Sequence, residues 1–304
     1  MFTCQEASPE DKAIAFEQVH VAWPHAADRS EHLKLRLASP QHQRAAWFVG
    51  KLDGEVVTSL GAYPYQLFGP DEHRSARVFG AVFTPPAARG HAHAKHLLKW
   101  VMQYYQERGV QDFALFSDIG LAYYQDLGFV ALPSYEWELA VPADIRPEGV
   151  PAPVSVPLTL TRPGAMACAY GFERASADDA WIQGKQASVG AKPPQLRLAR
   201  WGDHHWLLSR LEGERYLLLE SNLSQEAPDW TLFKKIVQLD AAAAGCLYVQ
   251  GWWTAAAPRP DPMQLEILPR EKEVLMWTSK RGKIDAWYEP IARHGFRVFV
   301  SEHV

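Results

Sequence analysis

The sequence has few cysteines, little net charge and no long apolar run, and each shortage argues against a class of protein. Cys4, Cys168 and Cys246 are the 3 cysteines in 304 residues, which suits neither a disulfide framework nor a zinc site. A net charge of −4 provides no broad basic surface for nucleic acid. No stretch approaches a membrane span, and acids occur where a signal peptide would be apolar. We therefore expect a cytoplasmic protein that binds neither nucleic acid nor membrane.

The length and the proline pattern predict two domains. A chain of 304 residues with 47% apolar residues can bury two cores. Between residues 140 and 165 there are 8 prolines or glycines, which is typical of an extended linker. We predict domains over 1–142 and 166–304, joined by a linker over 143–165.

The stretch 79–129 carries the clearest pattern. A short apolar strand ends at Pro85-Pro86, and the loop 89–94 then opens a helix. The apolar positions of that helix recur at the helical period: Leu97, Leu98, Val101, Met102 and Tyr105. Backbone N–H groups at such a helix start, with the fixed charge of Arg89 beside them, suit a pyrophosphate.

The residues of this stretch resemble a known signature. The run TPPAARGHAHA, followed by a helix, a strand and YYQDLGF, is similar to the acetyl-CoA signature R/Q-x-x-G-x-G/A of the GCN5-related N-acetyltransferases (GNAT). Arg89 stands on its first position and Ala94 on its last, whereas Ala92 stands where glycine is usual. The order of predicted elements, from an N-terminal strand and two helices through a hairpin at Asp53-Gly54, is also that of this α/β fold with a mixed sheet.

Within that superfamily the sequence most resembles the fungal lysine N6-acetyltransferase family and its bacterial relatives. The residues that carry this resemblance are VFTPP and the later FSDIG-x-x-YY-x-x-LGF. It implies an acetyl-CoA-dependent N-acetyltransferase in which a small primary amine, the ε-amine of free lysine or a similar one, attacks the thioester directly. An aminoglycoside, a polyamine or an α-amine remains open as acceptor, as does a non-catalytic sensor that binds acyl-CoA.

The resemblance also implies roles for individual residues. Tyr124 would protonate the departing thiolate, and the alternative is that Tyr123 or Tyr124 only packs the short helix against the sheet. The methyl group of Ala92 would tolerate a phosphate if its φ is negative. The other expected coenzyme contacts are the backbone of Val82, Phe83 and Thr84 along the pantetheine, the hydroxyl of Ser117, and Arg89, Gly90, His91, Ala92, His93 and Ala94 around the pyrophosphate.

Neither the general base nor a metal site is evident. The run from Val78 to Thr84 contains no acid, although many family members have a glutamate there. The candidate bases are Asp118, Glu136, Glu138, His73 and the C-terminal carboxylate of Val304. The string His91, His93 and His96 could suggest a metal, but no acid or cysteine lies close enough to complete a site. We predict no metal.

The second half repeats the layout of the first. Residues 232–253 run helix, glycine, apolar strand, as do residues 97–118. Trp287-Tyr288 to Gly295-Phe296 likewise echoes Tyr123-Tyr124 to Gly128-Phe129. The second helix lacks an arginine-glycine loop, so we predict a degenerate GNAT-like copy without a coenzyme, with an unrelated α+β domain as the alternative.

Overall fold

The computed structural model describes residues 1–69, 72–157, 171–172, 195–202, 205–221, 230–253, 266–281, 287 and 289–291. The α-helices in this part of the chain are α1 (Pro9–Gln18), α2 (Arg29–Ala38), α3 (Pro40–Arg44), α4 (His93–Gln106), α5 (Ala122–Gln125) and α6 (Trp230–Ala243). None of them combines the length and the apolarity that crossing a membrane would require.

The strands form two mixed sheets. Those of the first half are β1 (Phe2–Glu6), β2 (Ala46–Leu52), β3 (Glu55–Phe68), β4 (His73–Phe83), β5 (Asp112–Ser117), β6 (Val130–Ala131) and β7 (Tyr135–Ala140). Those of the second half are β8 (Val154–Val156), β9 (Gly171–Phe172), β10 (Gln195–Trp201), β11 (His205–Glu212), β12 (Arg215–Ser221), β13 (Tyr248–Trp253), β14 (Leu268–Pro269) and β15 (Val274–Ser279).

The two sheets have the same plan. The first has the order β1-β2-β3-β4-β5-β15-β6, with β9 beside β3, and the second has the order β8-β10-β11-β12-β13-β7-β14. Each contains one parallel pair at the same place, β4 with β5 and β12 with β13, among antiparallel neighbours. The predicted α/β fold with a second, GNAT-like copy is confirmed.

The two halves exchange strands: β9 and β15 of the second half lie in the first sheet, and β7 of the first half lies in the second. β15 lies between β5 and β6 in the first sheet, with Val274 opposite Ser117 and Ser279 opposite Asp112. β7 pairs with β13 in the second sheet. The boundaries 1–142 and 166–304 stay a prediction, since each of these strands hydrogen-bonds within the sheet of the other half. Residues 154–156 of the predicted linker form β8, which pairs with β10.

Local sequence accounts for the elements around the site. The Ser8 hydroxyl accepts from the Asp11 N–H at 3.1 Å and caps α1. Asp53 and Gly54 both have positive φ, 51° and 93°, as the predicted two-residue hairpin requires. The predicted apolar face of α4 is buried on the first sheet: Leu97, Leu98, Val101, Met102 and Tyr105. The part of the predicted repeat over 232–253 is also confirmed, because α6, Gly245 and β13 follow one another as α4, Gly109 and β5 do.

Candidate active site

β4 and β5 pair at one end and part at the other. Their parallel pairing runs from Ala76 and Asp112 to Phe79 and Leu115, whereas β4 continues to Phe83. Just beyond the last pair, Ala81 has a φ of 48°, and the register between β3 and β4 shifts between Ser59 and Gly61. This β-bulge turns backbone groups of β4 away from the ladder. The result is a gap between two neighbouring strands.

A cavity of about 850 Å³ occupies this gap. One half of the cavity is lined by the end of β4, the loop 89–92 before α4 and the start of α4. The sequence predicts that this half holds the coenzyme, so we call it the coenzyme half and its loop the coenzyme loop. The other half is lined by residues near α1 to α3 and on β3. The volume is in the range of small-molecule sites. Among the predicted site residues, those that line it are Val82, Phe83, Thr84, Arg89, Gly90, Ala92, His93, Ala94 and Tyr124.

The loop before α4 enters the helix through left-handed backbone. Gly90 has a φ of 87°, and Ala92, at the N-cap, has a φ of 57°. The condition under which the Ala92 methyl would tolerate a phosphate, a negative φ, is not met, because the chain turns into the helix through a left-handed residue at this point. That conformation costs an alanine about 1–2 kcal/mol. No side chain caps the helix start, so its first N–H groups are available to an anion.

Two hydrogen bonds fix the end of β4. The Thr58 hydroxyl donates to the Phe83 carbonyl at 2.9 Å, and the Thr84 hydroxyl donates to Thr58 at 2.9 Å. The exposed Arg89 donates through Nε to the Thr84 carbonyl at 3.1 Å. The side chain of Arg89 therefore ties the loop to β4 and holds its positive charge beside the start of α4.

Tyr124 lies on α5 and reaches the cavity from the β5 side. It is 7% exposed, and burial, followed by the neighbouring Tyr123 and Asp118, raises its pKa well above the usual value for tyrosine. The phenol is therefore protonated at neutral pH and can donate a proton. Tyr123 also lines the cavity, with the Lys95 Nζ 4.8 Å from its ring centroid.

Residues 4–131 match the family model described as acetyltransferase (GNAT) domain. The match covers less than half of the chain, and this part is similar to GNAT acetyltransferase domains. The cavity fits acetyl-CoA, the acetyl donor of this family, because it extends from the N-terminus of α4, which can bind phosphate, to the gap between β4 and β5. No curated protein matches the chain in sequence.

Solved structures show the same fold over nearly the whole chain. A probable N-acyltransferase from Enterococcus faecalis V583 is 14% identical, with a TM-score of 0.65 over 92% of this chain and 73% of that one. A GCN5-related N-acetyltransferase from Kribbella flavida is 12% identical, with a TM-score of 0.62 over 92% of this chain and 72% of that one. Another, from Anabaena variabilis ATCC 29413, is 15% identical, with a TM-score of 0.63 over 91% of this chain and 72% of that one. At these identities the likeness concerns the fold alone.

Two predicted coenzyme contacts, Ser117 and His91, do not line the cavity. Ser117 is fully buried, and its hydroxyl donates to the Ile119 carbonyl at 2.7 Å, which shapes the turn after β5. His91 is exposed, and its ring lies 5.5 Å from that of His93. The His93 ring stacks on Phe2 at 4.8 Å, and burial lowers its pKa. The histidine string thus packs the start of α4 against β1.

The candidate bases lie in different parts of the molecule. Asp118 lines the cavity, and burial raises the pKa of its carboxyl group. Glu136 and Glu138 are on β7 in the second sheet, opposite Trp252 and Gln250. His73 begins β4, roughly 33 Å of extended strand from Phe83 at the other end. The carboxylate of Val304, and Tyr288, Gly295 and Phe296 of the repeat, lie outside the described residues.

A polar cluster that was not predicted from the sequence lies in the half of the cavity away from the coenzyme loop. Its members that line the cavity are His25, Arg36, Gln41, His42 and Tyr63. The His42 Nδ1 lies 3.0 Å from the Tyr63 hydroxyl. One signal was present: His32 and Arg36, four residues apart on α2, occupy the helix face that is buried.

Proposed function

We propose that the protein is an acetyl-CoA-dependent N-acetyltransferase that acetylates a small primary amine by direct attack in a ternary complex. The observation that carries this proposal is the single cavity shared by the start of α4, the gap beside β4 and Tyr124. A coenzyme and an acceptor can meet there without a covalent enzyme intermediate.

The reaction then follows from the placement of the groups. The amine nitrogen bonds to the thioester carbonyl carbon, and negative charge develops on the carbonyl oxygen. Backbone N–H groups of the bulged end of β4, around Ala81 and Val82, lie at the cavity and would stabilise that charge. As the carbon–sulfur bond breaks, Tyr124 gives its proton to the thiolate. The products are the acetylated amine and the thiol form of the coenzyme.

Asp118 is our proposed base. A lysine-type amine has a pKa near 10.4, so its neutral form costs about 4.6 kcal/mol at pH 7. Of the candidate bases among the described residues, Asp118 lines the cavity, and its raised pKa makes the carboxylate a stronger base than an exposed aspartate. The backbone N–H of Glu273 also donates to this carboxylate.

The ε-amine of free lysine is our proposed acceptor. The resemblance of residues 82–86 and 116–129 to the lysine N6-acetyltransferases supports it, as does a cavity of small-molecule size. Aminoglycosides, polyamines and amino-acid α-amines are the other acceptors to compare.

The experiment is thiol release from acetyl-CoA with free amino acids, polyamines, aminoglycosides and a lysine peptide, together with the mass of each product. We expect turnover on a small amine and a mass gain of one acetyl group on it. Calorimetric binding of acetyl-CoA with no turnover on any amine would instead identify an acyl-CoA sensor.

A further inference from the structure

Arg36 is a buried cation in the half of the cavity that lies away from the coenzyme loop. Its residue is 2% exposed and lines the cavity. Its Nη1 lies 3.4 Å from the His25 Nε2, and its guanidinium carbon lies 5.0 Å from the centroid of the Phe16 ring. In the part of the chain that the structure describes, no carboxylate forms an ion pair with Arg36, and its Nε has no hydrogen-bond partner.

The surroundings of Arg36 favour an anion. Around it the cavity is lined by neutral or basic polar groups, His25, Gln41, His42 and Tyr63. Asp118 is the one acid among the described residues that line the cavity, and it lies after β5, beside Tyr124. The other lining cations, Arg89 and Lys95, belong to the coenzyme half. A cationic group brought to Arg36 would therefore meet repulsion that no nearby carboxylate offsets.

A buried charge without a counter-ion is unfavourable. Burial lowers the pKa of Arg36 to about 10, in keeping with a guanidinium that lacks a paired anion. A planar guanidinium presents N–H donors in a fork that matches the two oxygens of a carboxylate. A carboxylate that enters the cavity would supply both the missing charge and the missing acceptor.

We infer that Arg36 binds a carboxylate group of the acceptor, so the substrate is an amine that also carries a carboxylate, as an amino acid does. This rests on the proposed function, because it names the acceptor class of the same site. It favours free lysine and other amino acids. It disfavours polyamines and aminoglycosides, which bring positive charge alone.

The first test compares matched amines that differ in the carboxylate. The kcat/KM for acetyl transfer is measured with L-lysine, L-lysinamide and cadaverine, and with other amino acids and their amides. We expect the carboxylate form of the accepted amine to be preferred by roughly 30-fold or more. Equal values for the carboxylate, amide and decarboxylated forms would overturn the inference and leave the acetyltransferase function standing.

The second test removes the charge. In Arg36→Met we expect the preference to disappear through a fall in kcat/KM for the carboxylate form, with the value for the amide and the acetyl-CoA dissociation constant unchanged. Arg29→Met, at an exposed position of the same helix, is the matched control and should keep the preference. Since methionine replaces an unpaired buried charge, the variant should fold with a melting temperature equal to or above that of the original protein. An equal loss for both substrates would indicate a purely structural role and overturn the inference.

A binding measurement separates this inference from the proposed function. Thermal stabilisation by the same free amino acids and amides is measured on the protein with coenzyme A, before and after Arg36→Met. Stabilisation by carboxylates that requires Arg36, without turnover on any amine, would support the carboxylate site and reject the acetyltransferase. No difference between carboxylates and amides in either binding or turnover would reject the carboxylate site.

Discussion

Arg197 in the second half and Arg36 in the first show two opposite ways in which an arginine is balanced; the Arg197 side chain is 18% exposed, and Arg36 is fully buried. On β10, Arg197 meets the fully buried Asp240 through Nη2 to Oδ1 at 2.6 Å and Nε to Oδ2 at 3.1 Å. The Tyr216 hydroxyl donates to the same carboxylate at 2.6 Å. On α2, Arg36 meets no carboxylate among the described residues. A charge neutralised inside the fold stabilises it, whereas an unpaired one beside a cavity can bind a ligand.

The pKa values of the two guanidinium groups show the same difference. The hydrogen bond to Asp240 raises the pKa of Arg197, while burial lowers the pKa of Arg36 to about 10. The two sheets share their strand order, so the fold alone does not make a site. Both sheets have a register shift at the corresponding strand pair, β3 with β4 and β11 with β12. The first half adds the loop 89–94 and Tyr124, and the second half has an ion pair between Arg197 and Asp240.

The largest expected effect is on the paired arginine. Asp240→Ala removes a fully buried carboxylate and leaves the mostly buried Arg197 side chain and the buried Tyr216 hydroxyl without their partner, so it should lower the free energy of unfolding by about 3–5 kcal/mol, measured by urea denaturation. Glu212→Ala removes a more exposed ion pair with Arg210 and should cost less than about 1 kcal/mol. Similar losses of unfolding free energy in the two variants would contradict the view that the buried carboxylate of Asp240 is needed to balance Arg197.

Strand β15 of the second half couples the two halves, because it lies in the first sheet. Met276 on β15 is fully buried in the core cluster that contains Tyr124, so Met276→Ala should lower the free energy of unfolding by about 2–5 kcal/mol and weaken acetyl-CoA binding. Leu268→Ala, at a half-exposed position of β14, is the control and should change either quantity little. Two separate unfolding transitions in the original protein would argue against this coupling.

The rate of acetyl transfer should depend on Tyr124 in the first half. Tyr124→Phe should reduce kcat by about 10²-fold with an unchanged acetyl-CoA dissociation constant, since the hydroxyl acts on the leaving thiolate. Because its pKa is raised, ionisation of Tyr124 should not lower kcat as the pH rises to about 10, where an ordinary tyrosine titrates. Tyr123→Phe is the matched control, and a larger effect there would transfer the acid role to Tyr123.

The smallest effect is expected at the exposed loop. Arg89→Ala should weaken acetyl-CoA binding by roughly threefold to tenfold, because a solvated charge contributes modestly, and should leave kcat at saturation unchanged. Arg108→Ala, beyond the opposite end of α4, is the calorimetric control. An equal dissociation constant in all three proteins would remove Arg89 from the coenzyme site.

Much of the local architecture was predictable from the sequence. The Asp53-Gly54 hairpin, the apolar face of α4 and the Ser8 cap depend on residues a few positions apart, and all are present. The short helix α3, from Pro40 to Arg44, was not predicted, because five residues show no periodicity. The positive φ of Ala92 was not predictable, since the side chain alone favours negative values.

By itself, the sequence determined the Asp53-Gly54 hairpin, the repeated layout of helix, glycine and strand, and the loop 89–94 that opens α4, because turn residues, apolar periods and a contiguous motif act over short distances. Tertiary structure alone decided that β15 enters the first sheet, that Glu136 and Glu138 lie in the second, and that Arg36 lines the cavity. The physical reason is that strand pairing and the balance of a buried charge depend on groups far apart in the chain, which no local pattern records.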